Sequence, residues 1–228
     1  MNVQAIRNVI EHEAIHESAA ICEDHSISKS AFFHVARHAK PNATVVELGG
    51  GRSTVYWKYL MEKGVFLGNV TTITHDSEWG YALKLKTATV DAIHIVYDSL
   101  STVTEERKEA IFISDDPLTL WKKSVTALPF EQRHHYTVRN AFYTKLPAVL
   151  QEQPIDVLLL DGPHGNGRSL AFPLFRHVLQ RGTLVLIDDF HHYPFLEDLK
   201  KVYTCKELYK ETWTTHKWIL VELTGTQS

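Results

Sequence analysis

The stretch "VVELGGGRSTVYW", residues 45–57, limits the folds open to this chain more than any other. An apolar run ends in an acid, three glycines follow, and a helix-like pattern begins at once. Glycine reaches backbone conformations closed to other residues and lets the main chain approach a neighbour closely. Strand, glycine turn and helix in that order mark the start of an open α/β sheet. Two later runs, "IDVLLLDG" and "TLVLIDDF", are continuous apolar stretches that end in Asp. Strands buried on both faces of a parallel sheet read this way.

The rest of the chain alternates accordingly. Apolar spacing predicts a helix over residues 3–21, with Val3, Ile6, Ile10, Ala14 and Ile21 near one face. A second helix is expected over "SISKSAFFHVARHA", capped at or near Ser28 and stopped by Pro41 and Asn42. "TVVEL", "NVTTITHD", "AIHIVYD" and "HYTVRN" read as strands, and "FYTKLPAVLQ" as a short helical or turn segment. Helices are expected from about Ser53 to Lys63 and over "SEWGYALKLKTATV", "GRSLAFPLFRHVLQRG", which Gly182 ends, and "PFLEDLKKVY". "KELYKETWTTHKWILVEL" reads as a final hairpin. The pattern implies an open, mostly parallel sheet with helices on both faces. A length of 228 residues suits one domain, 1–228, with 1–40 as an N-terminal helical cap. Residues 100–133 are mixed and charged and carry two prolines, and they read as an insertion or lid.

A net charge of -3 gives no general attraction to nucleic acid or to an anionic membrane. No apolar run is long enough to span a bilayer. The acidic N-terminus lacks the apolar core of a secretory signal. Two distant cysteines, Cys22 and Cys205, suit a reducing compartment, and the cytoplasm is the expected location.

The glycine turn excludes two ligand classes by spacing. A dinucleotide fingerprint needs a third glycine where Thr54 stands, and a Walker A loop needs a lysine where "GRST" has Arg52. An acid-x-Gly-x-Gly turn remains. With "THDSEW", "IDVLLLDGPHGNGRS" and "GTLVLIDDF" following in order, the chain resembles class I S-adenosylmethionine-dependent methyltransferases, in particular a small-molecule O-methyltransferase-like branch. The similarity covers roughly residues 27–223 and implies a Rossmann-like, seven-stranded, mostly parallel sheet with a reversed last strand. It also implies a cofactor site. Glu47, Gly49, Gly50, Gly51 and Ser53 would line the amino acid and ribose, Asn140 and Ala141 the adenine, and Asp161 and His164 the methyl donor and acceptor. The family's usual acid at the end of the second strand is Thr74 here, and Asp76 is the substitute at hand.

Asp161, Asp188 and Asp189 end neighbouring central strands and form an oxygen-rich set suited to Mg²⁺ or another divalent cation. The same residues could instead cap a helix and serve a turn. His191 and His192 follow at once and are candidates to take a proton from an acceptor hydroxyl, together with Asp161 and His164. "HEAIH" at 12–16 matches a zinc-protease spacing, but Glu11 and Glu17 flank it, and it reads as a wet helix face. Arg168 could open a helix or reach an anionic group. Trp57 and Trp79 read as packing residues, with Trp79 also able to flank the adenine. "RHH" at 133–135 reads as a solvated approach to a strand.

The expected function is methyl transfer to an oxygen of a small molecule, assisted by a cation on Asp161, Asp188 and Asp189 or by a histidine. Nucleic acid is not the expected substrate, and self-association is compatible with everything above. The alternative is a non-catalytic binding or scaffold protein that keeps the fold, which Thr74 favours.

Overall fold

In the computed structural model, residues 1–11, 27–135, 137–146, 150 and 153–227 are described. In chain order, the elements begin with α1 (Val3–Ile10), α2 (Lys29–His38), β1 (Thr44–Leu48), α3 (Arg52–Glu62), β2 (Asn69–Thr74), α4 (Ser77–Thr87) and β3 (Ile93–Tyr97). There follow β4 (Leu100–Thr102), α5 (Glu105–Ile113), α6 (Pro117–Ser124), β5 (Thr126–Ala127), β6 (Ala141–Tyr143) and β7 (Ile155–Leu160). The chain closes with α7 (Ala171–Leu174), β8 (Leu179–Asp188), α8 (Phe195–Val202), β9 (Tyr203–Glu211) and β10 (Trp218–Thr226).

Seven strands form one sheet in the order β3-β2-β1-β7-β8-β10-β9. From β3 to β8 every pairing is parallel, and β10 runs antiparallel to both of its neighbours. The Rossmann-like sheet and the reversed strand expected from the sequence are therefore present. Alternation along the strands divides the core between two faces. On β7, Val157 and Leu159 pack with α1, α2 and α3, through Ile6, Phe32 and Trp57. Leu158 and Leu160 pack on the other face with Ile111, Trp121 and Phe172. The described part of 1–40 thus covers one face, and the helices of 100–133 cover the other.

Local chemistry explains the element starts. The Ser28 hydroxyl accepts the Ala31 N–H at 3.1 Å and caps α2. Its apolar positions Ala31, Phe32, Val35 and Ala36 all turn inward.

Three expectations change. The described residues of "HYTVRN" are not in a strand; the strand begins at Ala141 and pairs with β4 in a separate sheet of order β5-β4-β6. Asn140 stands at φ 52°, and its N–H goes to the Asn166 side chain at 2.8 Å, which breaks an extended run there. The helix expected up to Gly182 is only a 3₁₀ turn, Asn166–Leu170, followed by the single turn of α7. Leu179 already pairs with Ile155 in the central sheet, and burial of Val178 and Leu179 prevails over helical periodicity. Gly182 is a strand residue at φ 92°. The first helix is described only as Val3–Ile10, and "HEAIH" lies outside the described residues.

Candidate active site

The first parallel turn is organised around a buried acid. Glu47 is fully buried at the end of β1. Its carboxylate accepts hydroxyl hydrogen bonds from Ser53, from Thr54 at 2.6 Å and from Thr72 at 2.9 Å. Burial pushes this carboxyl above the usual range, and the three hydroxyls oppose that shift. Glu47 and Ser53 therefore hold the β1–α3 turn together. Gly51 caps α3 and is buried, with its N–H directed to Thr54 Oγ1 at 3.2 Å.

Gly49 takes φ 84°, and a Cβ there would lie 2.6 Å from the Gly162 backbone nitrogen. The Leu48 carbonyl accepts both the Asp161 N–H at 2.9 Å and the Gly162 N–H at 2.6 Å. The turns after β1 and β7 thus touch backbone to backbone, at the point where the strand order reverses. That crevice is where open α/β sheets bind ligands.

A cavity of about 790 Å³ opens there. Gly49, Gly50, Asp76 and Trp79 line one side, and Asp161, Gly162, His164, Arg168 and Asp188 line the deep part. Its size falls within the range of small-molecule sites. Trp79 is anchored by its indole N–H to the Gly50 carbonyl at 2.6 Å. Strand β2 does end at Thr74, and Asp76 is the N-cap of α4. One Asp76 oxygen accepts the N–H groups of Glu78 and Trp79 at 2.9 and 3.0 Å, and the other meets His134 Nε2 at 3.1 Å. Among the residues expected to bind a cofactor, Gly49, Gly50, Asp76 and Asp161 reach the cavity. Asn140 and Ala141 do not. Asn140 is buried against Asn166 and donates to Glu105 Oε2 at 2.8 Å, and Ala141 is buried in the small sheet.

The register places Leu160 beside Ile187, so Asp161 and Asp188 leave adjacent strand ends together. Burial, then the neighbouring Asp188 charge, raises the Asp161 carboxyl well above the usual range, and Arg168 opposes this. Asp188 is pushed up to about 6 by burial and by Asp189. Arg168, itself buried, donates through Nε to the Pro163 carbonyl at 2.8 Å and through Nη1 to the Asp188 carbonyl at 3.3 Å. Asp188 Oδ1 is buried without a hydrogen-bond partner among the described residues.

The three carboxylates expected as one ligand set do not converge. Asp189 takes φ 52° directly after β8, and Asp161, Asp188 and Asp189 do not form a group whose ligand atoms lie within 4.8 Å of one another. Among the described residues, the group whose ligand atoms all lie within 4.8 Å of one another is Asp189, His191 and His192. His192 and Asp189 also line the cavity, whereas His191 stands just outside and is exposed.

Sequence reasoning did not single out His75, Arg139 or His216, and it read His134 as solvated. All four line the cavity. His75 follows the last residue of β2, so the strand-end rule could have found it. His134, Arg139 and His216 come from loops whose path no local pattern shows.

A family model described as "Methyltransferase domain" matches residues 46–190. TrmN from Thermus thermophilus shares the fold with a TM-score of 0.53 at 13% identity, over 92% of this chain and 52% of that one. Precorrin-6y C5,15-methyltransferase from Geobacter metallireducens gives 0.51 at 10% identity, over 90% of this chain and 93% of that one. A Klebsiella pneumoniae protein assigned as an O-methyltransferase gives 0.50 at 12% identity, over 97% and 90%. These likenesses are of fold. No curated protein sequence matches the chain. Among the described residues, no helix is long and apolar enough to cross a membrane.

Proposed function

The chain belongs to the methyltransferase-domain family, whose cofactor is S-adenosylmethionine, and we propose that it methylates an oxygen of a small molecule with help from a divalent cation. The observation that carries this reading is the open cavity against the Gly49–Gly50 backbone, with Asp161 and Asp188 in its deep wall. The residues fit the cofactor: no side chain of the glycine turn fills the crevice. Gly49, Gly50, Asp76, Trp79 and Asp161 would hold it. When bound, S-adenosylmethionine supplies an electrophilic methyl group on a sulfonium.

The chain's own residues then have three tasks. The Gly49–Gly162 contact fixes two strand ends and with them the geometry in which reactants meet, which is catalysis by positioning. Asp76 is the nearest replacement for the acid missing at Thr74, and its outer oxygen would have to exchange His134 for ribose hydroxyls. Asp188, raised to about 6, is largely ionised at neutral pH yet more basic than an ordinary carboxylate, which suits removal of an acceptor proton. His164 and His192 stand on the same cavity wall and are further proton acceptors. A cation beside Asp188 and Asp189 would lower the acceptor hydroxyl's pKa. The unpartnered Asp188 Oδ1 is the sign of a missing positive or protic neighbour. Tyr193 and Phe195 add apolar wall, in keeping with a small organic acceptor.

One observation favours a second reading, a non-catalytic binding protein. Thr74 replaces the usual acid, and both oxygens of Asp76 already have protein partners. Calorimetric titration with S-adenosylmethionine and S-adenosylhomocysteine separates the two. Saturable binding of both at one site per chain is expected, and absence of binding by either overturns the enzyme reading.

A further inference from the structure

We propose that the loop after β8 is a transition-metal site, in which Asp189, His191 and His192 bind a first-row divalent cation with open positions turned to the cavity. This deepens the cation-assisted reading above and rests on it for the cation's role, though not for its binding.

Two independent observations carry it. The first is the convergence of three ligand atoms within 4.8 Å in a stretch of four residues. The backbone at Asp189 is left-handed, φ 52°, and the His192 N–H returns to the Asp189 carbonyl at 3.0 Å, so the chain turns tightly through these residues. The imidazoles stand 4.1 Å apart between ring centroids, and His192 Nδ1 is 3.9 Å from Asp189 Oδ2. At that distance the Asp189–His192 side-chain pair is too long to be a hydrogen bond. The second observation is the neighbouring Asp188. It is 5% exposed, it lines the same cavity, and its Oδ1 has no partner among the described residues. A buried carboxylate oxygen left unsatisfied calls for a water or an ion nearby.

The donor set selects the metal. Mg²⁺ and Ca²⁺ take oxygen ligands, and three converging aspartates would have suited them. Two imidazoles and one carboxylate suit Mn²⁺, Fe²⁺, Co²⁺, Ni²⁺ or Zn²⁺ instead. Such a triad fills only part of a coordination sphere, and the remaining positions are where an acceptor oxygen would be polarised.

The test uses the full chain, stripped with a chelator and dialysed, with no cofactor present. Mn²⁺, Zn²⁺ and Mg²⁺ are titrated separately by calorimetry, and Co²⁺ is followed by its visible absorption. One Mn²⁺ or Zn²⁺ per chain is expected, with Mg²⁺ weaker by about 100-fold or more. His191→Gln with His192→Gln should weaken Mn²⁺ by about 100-fold and abolish the nitrogen-ligand Co²⁺ spectrum, with an unchanged melting temperature because both rings are exposed. No saturable binding of any of these ions overturns the proposal. So does wild-type Mn²⁺ affinity in the double variant, or Mg²⁺ bound as tightly as Mn²⁺. Metal binding that persists in a chain unable to bind S-adenosylmethionine would overturn the enzyme reading and leave this site standing.

Discussion

His134 Nε2 lies 3.1 Å from Asp76 Oδ2, while the other oxygen of that carboxylate caps α4. One side chain thus serves the helix and faces the cavity at once. The two roles separate by substitution. Asn caps a helix nearly as well as Asp, whereas Ala in place of a capping residue costs about 1 kcal/mol. Asp76→Asn should therefore melt like the wild type, and Asp76→Ala should be less stable by about that amount. Both should bind S-adenosylmethionine less tightly, because a charge-assisted hydrogen bond is worth about 1.5–3 kcal/mol. That corresponds to roughly 10–100-fold in affinity. Calorimetry and thermal melts read the two effects. Wild-type affinity in Asp76→Asn would remove Asp76 from the cofactor site.

Gly49→Ala addresses the backbone contact. The position combines φ 84° with a Cβ site 2.6 Å from Gly162 N. Neither obstacle is a flexible side-chain end, so main chain must move. Gly64 offers the control: its φ is 65°, and nothing lies within 4 Å of its Cβ site. Strain at a positive φ costs about 1–3 kcal/mol in either variant. Gly49→Ala should lose clearly more stability than Gly64→Ala in urea unfolding, and it should also lose cofactor binding. Equal losses would mean that the close approach carries no weight.

Trp79 should report on the same wall. Its N–H to the Gly50 carbonyl, 2.6 Å, pins the ring beside the glycine turn. Trp79→Phe keeps an aromatic ring and removes the donor, a change of about 1 kcal/mol for an ordinary hydrogen bond. Roughly fivefold weaker S-adenosylmethionine binding is expected. Unchanged binding would make Trp79 a packing residue only.

The sheet was legible because its strands carry their own record. "IDVLLLDG" is buried along nearly its whole length, and the order of glycine turn and acid-ended strands leaves few topologies. The site was legible close to the ends of the central strands: Gly49, Gly50, Asp76, Asp161, His164, Asp188, Asp189 and His192 all lie within a few residues of one. Glu47 and Asn140 show why the rest was not. Both are polar residues beside turns, and whether such a side chain faces a ligand or its own hydroxyl and amide neighbours depends on residues distant in sequence. Thr72 and Asn166 decided those two cases. His134 and His216 reach the cavity through loop paths that no periodicity encodes.

His75 gives the pH dependence its sign. The residue is half-buried, both ring nitrogens are buried without a hydrogen-bond partner among the described residues, and the rings of His134 and His164 lie 5.4 and 6.1 Å away. Burial first, then His164 and His134, lowers its pKa to about 4, with Asp76 opposing and Arg133 reinforcing the shift. The unfolded chain takes up the proton near pH 6.5, well before the folded chain does. Stability from this group is thus complete above that value and is lost as pH falls toward 4. Roughly 2.5 pK units at about 1.4 kcal/mol each set an upper bound of about 3.5 kcal/mol. Phe occupies similar space and does not titrate. Between pH 7 and pH 4, the wild type should therefore lose about 2–3 kcal/mol more than His75→Phe in urea unfolding. The carboxyls of Glu47 and Asp161 titrate in both proteins and cancel in the difference. Parallel pH profiles for the two proteins would show that His75 takes up its proton in the folded state as readily as in the unfolded one.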